Sequence, residues 1–593
     1  MKKTFFFILK IFVLVPLLTG LFFMTFPLSY ASDFSFSPNG DSAVNSRWAD
    51  SVFRTMTEDE RLGQLFMVEV SSKWTVNDKL FQDVEACVKN FHIGGVIFFY
   101  GGPCRQAALT NYLQNEAKIP LMIAQDGEWG LGMRLADSTL SFPRNLCLGA
   151  IENNEIIYEL GREIGRQCNR LGVNIDFMPC IDIYDNPTNT AIANRSFGSD
   201  KLNVALKGSA MMSGMSDYHI LTTAKHFPGH GNTAVDSHEA LPVILDTKDY
   251  IDSVALYPYK YLINNGVGGV MVGHLFIPVY NNDGEKTPSS ISKSVIDSLL
   301  IKTLKFNGLV FTDALKMKGV SSNYETGEVE VRAFEAGVDV FLMPSDCKKA
   351  FQAMVEARNS GRISQKEIDR RCKKILIAKK RMGLDKIQPI KIENLYADLN
   401  TDGGKMLQKR LYENAVTLIK NDSSLLPLRD FENQKIAVVS VSKDGVATSF
   451  ENNLQRFAGI NVFNISKTAE PLAFEQLINK LEDFDIIIAA LHDAGSYPKN
   501  FGLSENTVKF IDNLALKNKK LIVDFFNSPL SINKFQNYKK ITSIVISYED
   551  TNFSHEVSSD MIFGVLPFLG KLPVDVNQDF KAGSRIKTDV FKL

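Results

Sequence analysis

Short apolar runs alternate with helical patterns through the first two-thirds of this chain, and this alternation constrains the fold more than any other feature. Eight runs are predicted as buried strands: 65–70, 95–99, 121–124, 173–178, 220–224, 269–272, 308–311 and 338–343. Between several of them lie helical patterns, such as 155–171 and 294–304. Eight strand–helix units in about 330 residues favour a (β/α)8 barrel, and an open doubly wound sheet is the alternative.

A second alternation follows in the last third of the chain. Its apolar runs are 436–441, 486–491, 521–526 and 541–546, and 505–516 has a helical pattern. This predicts an open α/β sandwich. We therefore place the barrel at 32–390, a linker at 391–413 and the sandwich domain at 414–593. The strand ends of the second domain show no polar cluster comparable with that of the first. We expect it to be structural or to form one wall of a cleft.

The N-terminus predicts export from the cytoplasm. Lys2 and Lys3 precede a mostly apolar stretch, 5–28, which ends in Ser29-Tyr30-Ala31. This pattern is typical of a secretory signal peptide over 1–31, cleaved after Ala31. An uncleaved anchor is the alternative, because 11–28 is just long enough to span a bilayer. We expect a secreted, periplasmic protein that contacts a membrane only if the leader is retained.

Charge and cysteine content narrow the classes of partner and cofactor. The formal net charge of -1 offers no basic excess to neutralise phosphates, which argues against a nucleic-acid partner. The seven cysteines are an odd number, and they show neither a disulfide framework nor metal-ligand spacing. We expect no metal and no organic cofactor.

Polar residues follow five successive strands of the predicted barrel. They are Asp126 after the third strand, Asp182 and Arg195 after the fourth, Lys225 to His238 after the fifth, His274 after the sixth and Asp313 after the seventh. In a closed barrel these positions converge on the carboxyl-terminal rim, where barrel enzymes carry their active sites. The polar strand ends therefore favour the barrel over the open sheet and mark its rim as the site.

The stretch from Lys225 to His238 is the densest of these, with a Lys, three His and an Asp broken by one Pro and two Gly. Pro and Gly predict a loop leaving a strand end. Glycoside hydrolysis through a covalent intermediate needs a nucleophile and a proton donor. Asp313 is suited to be the nucleophile, and His238 to be the proton shuttle, because an imidazole titrates near pH ~6.5. Asp236 is placed to orient the imidazole of His238 and favour its charged form.

Several motifs resemble glycoside hydrolase family 3, and specifically its β-N-acetylglucosaminidase branch. They are Lys225-His226-Phe227-Pro228-Gly229-His230-Gly231 with Asp236-Ser237-His238, and Phe311-Thr312-Asp313-Ala314-Leu315 with Met317 and Gly319. The resemblance continues through Met271-Val272-Gly273-His274 and Pro288-Ser289-Ser290-Ile291-Ser292. The second domain resembles the family's carboxyl-terminal sandwich through 414–428 and Gly570-Lys571-Leu572-Pro573-Val574.

This resemblance implies an exo-acting, retaining enzyme that removes terminal β-linked N-acetylglucosamine, with peptidoglycan fragments as the expected source. It implies Asp313 as nucleophile, His238 as acid/base and Asp236 as its partner. It also implies that the terminal sugar is held by Asp126, Arg134, Arg195, Lys225 and His226. Many relatives have Asp-x-Glu-Gly-Gly-Arg after the third strand. This chain has Asp126-Gly127-Glu128-Trp129-Gly130-Leu131 and lacks that Arg, although Arg134 remains.

Other functions remain as alternatives. A barrel metallohydrolase would use His226, His230 and His238 as zinc ligands, but no His-x-His follows the first strand. A non-catalytic sugar-binding protein would be expected to lack Asp313 or His238. A β-glucosidase or β-xylosidase of the same family would typically take a Glu from the second domain as its acid/base. Sugar transfer to phosphate also stays open, because a neutral His does not repel an anion.

Overall fold

The computed structural model describes residues 43–136, 138–233, 236–281, 285–429, 431–492, 499–517 and 520–591. The predicted signal peptide, 1–31, lies outside the described residues. Within the described part of the chain, no helix is both long and apolar enough to cross a membrane.

The described residues form fourteen strands and nineteen α-helices. The strands are β1 Phe66–Ser72, β2 Gly95–Gly101, β3 Met122–Gln125, β4 Ile175–Asp176, β5 Leu221–Phe227, β6 Gly269–Val272, β7 Leu309–Thr312, β8 Phe341–Leu342, β9 Thr417–Asn421, β10 Ile436–Ser442, β11 Ile460–Ser466, β12 Ile486–Leu491, β13 Lys520–Phe525 and β14 Ser543–Ile546. The helices of the first part are α1 Ala43–Thr55, α2 Glu58–Gly63, α3 Lys79–Phe91, α4 Pro103–Glu116, α5 Asn145–Gly149, α6 Asn154–Leu171, α7 Lys201–Ser216, α8 Lys248–Tyr250, α9 Tyr257–Asn264, α10 Lys318–Ser321, α11 Glu328–Ala336, α12 Cys347–Asn359 and α13 Gln365–Arg381. The remaining helices are α14 Leu395–Leu399, α15 Asp402–Ala415, α16 Ser449–Leu454, α17 Pro471–Lys480, α18 Glu505–Leu516 and α19 Asn552–Ile562.

Strands β1 to β8 form one parallel sheet in the order β7-β6-β5-β4-β3-β2-β1-β8. Its two ends meet, because the Thr312 N–H donates to the carbonyl of Val340 (3.2 Å) and the Leu342 N–H donates to Thr312 Oγ1 (3.0 Å). The predicted barrel is therefore confirmed, and the open doubly wound sheet is wrong. Most residues of these strands are buried and apolar because helices cover the outer face of the sheet and packed side chains fill the barrel inside, and the polar residues lie mainly towards the carboxyl ends.

The fifth strand is longer than predicted. β5 runs to Phe227, so Lys225 and His226 lie in the strand and not on the loop that follows it. Its pairing with β6 shifts register between Ala224 and Phe227. Such an irregularity redirects side chains locally and is common next to active sites. It lets the strand end present both Lys225 and His226 to one site.

Strands β9 to β14 form a second sheet in the order β11-β10-β12-β13-β14-β9, parallel except for β9, and helices pack on it. This confirms the predicted α/β sandwich. The sequence analysis did not predict β9 or β11. β11 is an edge strand in which only Ile460 and Ile465 are buried, so it lacks a continuous apolar run. The segment predicted as a linker, 391–413, contains α14 and most of α15.

The second domain carries a polar cluster at its strand ends that is smaller than the one at the barrel rim. His492 directly follows β12, and Asp550 lies shortly after β14. Together with His555, in the first turns of α19, they place their ligand atoms within 4.8 Å of one another. His492 lies 58 residues before Asp550, and Asp550 lies 5 residues before His555. Because of the long first separation, no local sequence motif contains all three residues.

Candidate active site

One cavity of about 570 Å³ opens at the carboxyl-terminal rim of the barrel. All eight residues predicted for the site line it: Asp126, Arg134, Arg195, Lys225, His226, Asp236, His238 and Asp313. The volume falls within the range of roughly 300–1,000 Å³ that is common for small-molecule sites. The described lining residues all belong to the barrel, so the second domain supplies no wall of this cavity among them.

An ionic network of Asp126, Glu128, Arg134, Arg195 and Lys225 occupies one side of the cavity. Lys225 Nζ lies 2.9 Å from Asp126 Oδ1 and 2.8 Å from Glu128 Oε1. Arg134 bonds the other oxygen of Asp126 at 2.5 Å. Arg195 bonds Glu128 through two nitrogens, Nε at 3.0 Å and Nη2 at 2.7 Å. Because two carboxylates face three cations, the network has one positive charge in excess.

Burial and pairing act in opposite directions on the acids of this network. Burial raises the pKa of Asp126, but the charges of Lys225 and Arg134 outweigh it and hold that pKa at about 2. Burial likewise opposes ionisation of Glu128, and the charges of Arg195 and Lys225 keep its pKa well below the usual value. The carboxylates are therefore ionised at neutral pH and accept hydrogen bonds, as recognition of sugar hydroxyl groups requires.

His226 is fixed in one tautomer by its two neighbours. Its Nδ1 lies 2.8 Å from Asp182 Oδ2, and its Nε2 lies 3.1 Å from Nη2 of Arg195. A guanidinium only donates, so Nε2 accepts and Nδ1 carries the proton that is donated to Asp182. Asp182 also accepts from the backbone N–H of His230 at 2.7 Å. The buried carboxylate thus holds both the ring of His226 and the loop that leaves β5.

Asp313 directly follows β7, and its backbone N–H donates to the carbonyl of Val272 at the end of β6 (2.9 Å). The Ala314 N–H donates to Asp313 Oδ1 at 2.7 Å. Burial raises the pKa of Asp313, but the imidazoles of His226 and His274 and the Ala314 N–H outweigh it, so its pKa lies below the ordinary value. The side chain is an ionised carboxylate on a rigid strand end, which suits a nucleophile.

Asp236 and His238 form a hydrogen-bonded pair at the mouth of the cavity. His238 Nδ1 lies 2.8 Å from Asp236 Oδ1, and the side chain of His238 is 69% exposed. The hydrogen bond to Asp236 raises the pKa of His238, and the same bond lowers the pKa of Asp236 to about 2. With Nδ1 donating to the carboxylate, Nε2 is left to exchange a proton with a substrate.

The remaining histidines of the rim have structural contacts. His230 Nδ1 lies 2.8 Å from Thr233 Oγ1, and its Nε2 lies 3.3 Å from Ser237 Oγ. His274 is fully buried and donates from Nε2 to the carbonyl of Ala314 (2.9 Å), next to Asp313. His226, His230 and His238 therefore bond to separate partners, and no group of metal-ligand geometry among the described residues contains all three. The geometry gives the zinc alternative no support.

Glu128 and Asp182 are buried contributors to which the sequence analysis gave no role, although it placed Asp182 on the rim. Glu128 is 1% exposed and pairs with two cations, and Asp182 orients His226. Glu128 lies two residues after Asp126 in the motif that follows β3. This position was the one sequence feature that could have indicated its role. Asp182 follows β4, but an acid at a strand end is just as often a helix cap. Their partners lie far away in sequence, so spacing does not reveal the pairing.

The second domain contacts the barrel behind the ionic network. Glu549 Oε1 accepts the backbone N–H of Arg144 at 2.6 Å, and the guanidinium of Arg144 lies over the ring of Trp129, 4.9 Å from its centroid. Trp129 directly follows Glu128. The Ser199 N–H also donates to the carbonyl of Pro573 (3.0 Å). These contacts brace the segments that carry Glu128 and Arg195, although the second domain does not line the cavity.

Comparison with known families agrees with this architecture. Residues 57–378 match the glycosyl hydrolase family 3 N-terminal domain, and residues 416–589 match the glycosyl hydrolase family 3 C-terminal domain. The first match covers more than half of the chain, and the second covers the sandwich. The two matches follow the division into barrel and second sheet.

Individual relatives cover nearly the whole chain. Beta-hexosaminidase A of Pseudoalteromonas piscicida is 27% identical, over 90% of this chain and 100% of the relative. A protein of Cellulomonas fimi named beta-N-acetylglucosaminidase/beta-glucosidase is 24% identical, over 89% of this chain and 95% of its own. The solved structure of a glycoside hydrolase family 3 beta-N-acetylglucosaminidase from Paenibacillus sp. superposes with a TM-score of 0.74 at 28% identity, over 88% of this chain and 99% of that structure.

Proposed function

The chain belongs to glycosyl hydrolase family 3, and from this membership we propose that it is a retaining exo-β-N-acetylglucosaminidase. The family makes it a glycoside hydrolase. The finer assignment rests on one observation above all. The carboxylate of Asp313 and the Asp236–His238 pair line the same cavity as the ionic network, so a nucleophile, a proton shuttle and hydroxyl-binding groups share one site.

In the first step Asp313 attacks the anomeric carbon of the terminal sugar. Its Oδ1 is held by the Ala314 N–H, which leaves Oδ2 to form the new C–O bond. The bond from the anomeric carbon to the leaving oxygen breaks, and that oxygen takes the electron pair and the proton of His238 Nε2. The nearby charge of Asp236 favours the imidazolium before the transfer. The product is a covalent glycosyl ester on Asp313.

In the second step a water molecule attacks the same carbon from the side that the leaving group has vacated. His238 Nε2, now neutral, takes a proton from the water as its oxygen bonds to the anomeric carbon. The ester bond breaks, and its electron pair returns to Asp313 as a carboxylate. Two inversions give net retention, and His238 ends protonated as it began.

The ionic network holds the non-reacting part of the sugar. Asp126 and Glu128 present acceptor oxygens, while Lys225 and Arg195 present donors, so vicinal hydroxyl groups find both kinds of partner. His226 lies beside them, with its Nδ1 on Asp182 and its Nε2 on Arg195. Because these groups already position one another, substrate binding loses little conformational entropy in ordering them.

The natural substrate we propose is a glycan with a terminal β-linked N-acetylglucosamine, such as a peptidoglycan fragment, met after export to the periplasm. The names of the Pseudoalteromonas, Cellulomonas and Paenibacillus relatives support the N-acetyl sugar. The Cellulomonas relative also carries the name beta-glucosidase, which keeps a β-glucoside as the second candidate substrate.

The test is release of p-nitrophenol from the β-N-acetylglucosaminide and from the β-glucoside by wild type, Asp313→Ala and His238→Ala. We expect activity on the N-acetyl substrate. Asp313→Ala should lower it on the order of 10⁴-fold or more, as loss of a nucleophile does. His238→Ala should cost about 10²–10⁴-fold. The loss in His238→Ala should be larger for a disaccharide, whose leaving oxygen needs the proton more than p-nitrophenolate does.

Asp402→Ala is the matched control, because Asp402 is 93% exposed and does not line the cavity. Its activity should equal that of wild type. The configuration of the first-formed sugar, followed by ¹H NMR, should be β. Activity on the glucoside alone would overturn the substrate, an α product would overturn the retaining mechanism, and loss of activity in EDTA would overturn the metal-free chemistry.

A further inference from the structure

The second domain contains a convergence of ligand atoms that the proposed hydrolysis does not use. His492, at the carboxyl end of β12, is 3% exposed, and His555, in α19, is 4% exposed. Asp550 is 23% exposed on its side chain and lies between them. In open α/β sheets, ligands bind beyond the carboxyl ends of the strands, which is where these three side chains meet.

Two imidazole nitrogens point at a single carboxylate oxygen. His492 Nδ1 lies 2.9 Å from Asp550 Oδ1, and His555 Nε2 lies 2.6 Å from the same atom. The other ring nitrogen of His492, Nε2, is buried without a hydrogen-bond partner. Among the described residues, the polar contact of this buried ring is therefore the one that Nδ1 makes with Asp550.

Aromatic packing fixes both rings in this arrangement. The ring of His492 stacks on Phe526 with centroids 4.9 Å apart and planes 7° from parallel. The ring of His555 meets the same phenylalanine edge-on, at 4.7 Å and 84°. Neither imidazole is free to turn its nitrogen away from Asp550, so the site is ordered before any ligand arrives.

The hydrogen bonds around His555 indicate which of its nitrogens carries the proton. Ser449 Oγ donates to Asn552 Oδ1 at 3.0 Å and lies 2.8 Å from His555 Nδ1. With its hydrogen given to Asn552, the hydroxyl accepts from Nδ1–H. His555 Nε2 then meets the carboxylate of Asp550 in one of two ways, either as the second N–H of an imidazolium or with its lone pair on a metal ion that the carboxylate also binds. A metal-bound imidazole commonly donates its other N–H to an oxygen in this way.

We propose that His492 Nδ1, Asp550 and His555 Nε2 bind one divalent transition-metal ion, for which Zn²⁺ is the reference. Two imidazoles and a carboxylate are a ligand set that zinc takes, with bonds of about 2.0–2.2 Å. The edges of a tetrahedron of that size are about 3.4 Å, so each imidazole nitrogen needs to move away from Asp550 Oδ1 by less than about 1 Å.

A second group of comparable compactness, Cys180, Asp182 and His226, lies in the barrel and is a weaker candidate. Burial raises the pKa of the Cys180 thiol well above its usual value, which disfavours the thiolate that a metal requires. Asp182 already accepts backbone N–H groups from His226 and His230, and a metal cannot replace those donors. The sandwich cluster contains no thiol among its three ligand groups.

The site ties β12 to α19 and stands apart from the cavity, so its occupancy is expected to affect the second domain and not hydrolysis. The test uses the full-length chain without a polyhistidine tag. Zn²⁺ binding is measured by calorimetry and by metal analysis after dialysis, and the position of the ion is found from anomalous scattering of crystals at the zinc edge. Co²⁺ in place of Zn²⁺ should give visible absorption typical of low coordination number.

We expect about one Zn²⁺ per chain, with its anomalous peak between His492 and His555. The affinity should fall more than about 100-fold in His492→Gln and in His555→Gln, since even changes behind a metal ligand cost about 10–100-fold. Ser449→Ala should weaken binding about tenfold. Asp182→Asn, in the barrel cluster, is the control and should leave Zn²⁺ affinity unchanged. Hydrolysis should be unaltered in His492→Gln and His555→Gln.

An anomalous peak at Cys180, Zn²⁺ affinity that survives both histidine substitutions, or no zinc bound by the folded wild-type chain would each overturn the proposal. The crystallographic arm needs no variant, so it decides the question even if a substitution prevents folding. Because zinc binding and glycoside hydrolysis are measured separately, failure of one leaves the other intact.

Discussion

The two sides of the cavity are built in opposite ways. The ionic network is buried, and Lys225 and Glu128 are 2% and 1% exposed. The Asp236–His238 pair stands at the mouth, and the side chain of His238 is 69% exposed. Each acid of the network bonds to two cations, whereas His238 has one hydrogen-bonded side-chain partner, Asp236.

This difference matches the two tasks that the proposed mechanism assigns. Groups that hold a sugar gain from being rigid, because the cost of ordering them is met during folding. A group that gives up and regains a proton has to reach both the leaving oxygen and water, so exposure is useful to it. The comparison predicts that changes in the network act on folding and binding together, while changes in the Asp236–His238 pair act on catalysis alone.

The largest effect on folding is expected from Glu128→Gln, which removes a buried charge but keeps the shape. Arg195 and Lys225 then lose the carboxylate that both of them contact. Breaking a buried ion pair lowers the unfolding free energy by about 3–5 kcal/mol. KM for the N-acetyl substrate should rise as well. Both are measured, by urea-induced unfolding and by steady-state kinetics.

Glu69→Gln is the matched control for this substitution. Glu69 also lines the cavity and pairs with Lys316, but the two side chains are 42% and 44% exposed. Removing an exposed pair costs less than about 1 kcal/mol. Equal destabilisation by Glu128→Gln and Glu69→Gln would remove the distinction between a buried and an exposed side of the cavity.

Much of the fold and of the site's location follows from local sequence. The eight barrel strands are predictable because most of their residues are buried on both faces, so each contains a short, mainly apolar run. β11 is not, because it is an edge strand with only Ile460 and Ile465 buried. The rim is predictable because side chains at the ends of parallel strands must meet, and this brought Asp126 and Asp313 together from positions far apart in the chain.

Local sequence does not show which charged residues, far apart in the chain, form ion pairs with one another. Glu128 and Lys225 each look like ordinary charged residues next to a strand, and only the closed barrel makes them partners. Similarly, His492 and Asp550 are 58 residues apart and follow different strands of the second sheet. The order of those strands in space, which brings them together, is set by long-range packing. Residue roles at the site therefore remain predictions that substitutions have to test.

The next largest effect is expected at His230. It concerns how the free energy of unfolding depends on pH. Burial and the neighbouring His226 lower the pKa of His230 to about 4, below the ordinary value of 6.5. Between these two values the unfolded chain binds a proton that the folded chain does not. Stability therefore falls as the pH falls through this window, by up to about 1.4 kcal/mol per pH unit for one proton.

His230→Gln should flatten this acid slope by up to one proton, as measured by urea unfolding at several pH values between 4 and 6.5. His238→Gln is the control. Its imidazole has a raised pKa in the folded chain and the ordinary value in the unfolded chain, so below about pH 5.5 it is protonated in both and its loss should leave that part of the slope unchanged. If the slope is unchanged in His230→Gln, the folded wild-type chain binds a proton at His230 as readily as the unfolded chain does, and burial on this side of the cavity does not prevent protonation.

The smallest effect on folding, and a clear one on catalysis, is expected from Asp236→Asn. The hydrogen bond to the charged carboxylate of Asp236 raises the pKa of His238, and Asn keeps an acceptor but removes the charge, so that pKa should fall. The free enzyme needs His238 protonated, so kcat/KM declines as the pH rises through this pKa, and in the variant the decline should begin at lower pH. Unfolding free energy should change by no more than about 1 kcal/mol, as for other exposed ion pairs.

Asp246→Asn provides the comparison for this last substitution, because Asp246 bonds Asn232 at 2.7 Å but does not line the cavity. Its pH profile should match that of wild type. If Asp236→Asn keeps the wild-type alkaline limb, Asp236 does not set the pKa of His238. If it also destabilises the fold as much as Glu128→Gln does, the exposed pair is as much a part of the framework as the ionic network. The separation between holding the sugar and moving the proton would then have to be abandoned.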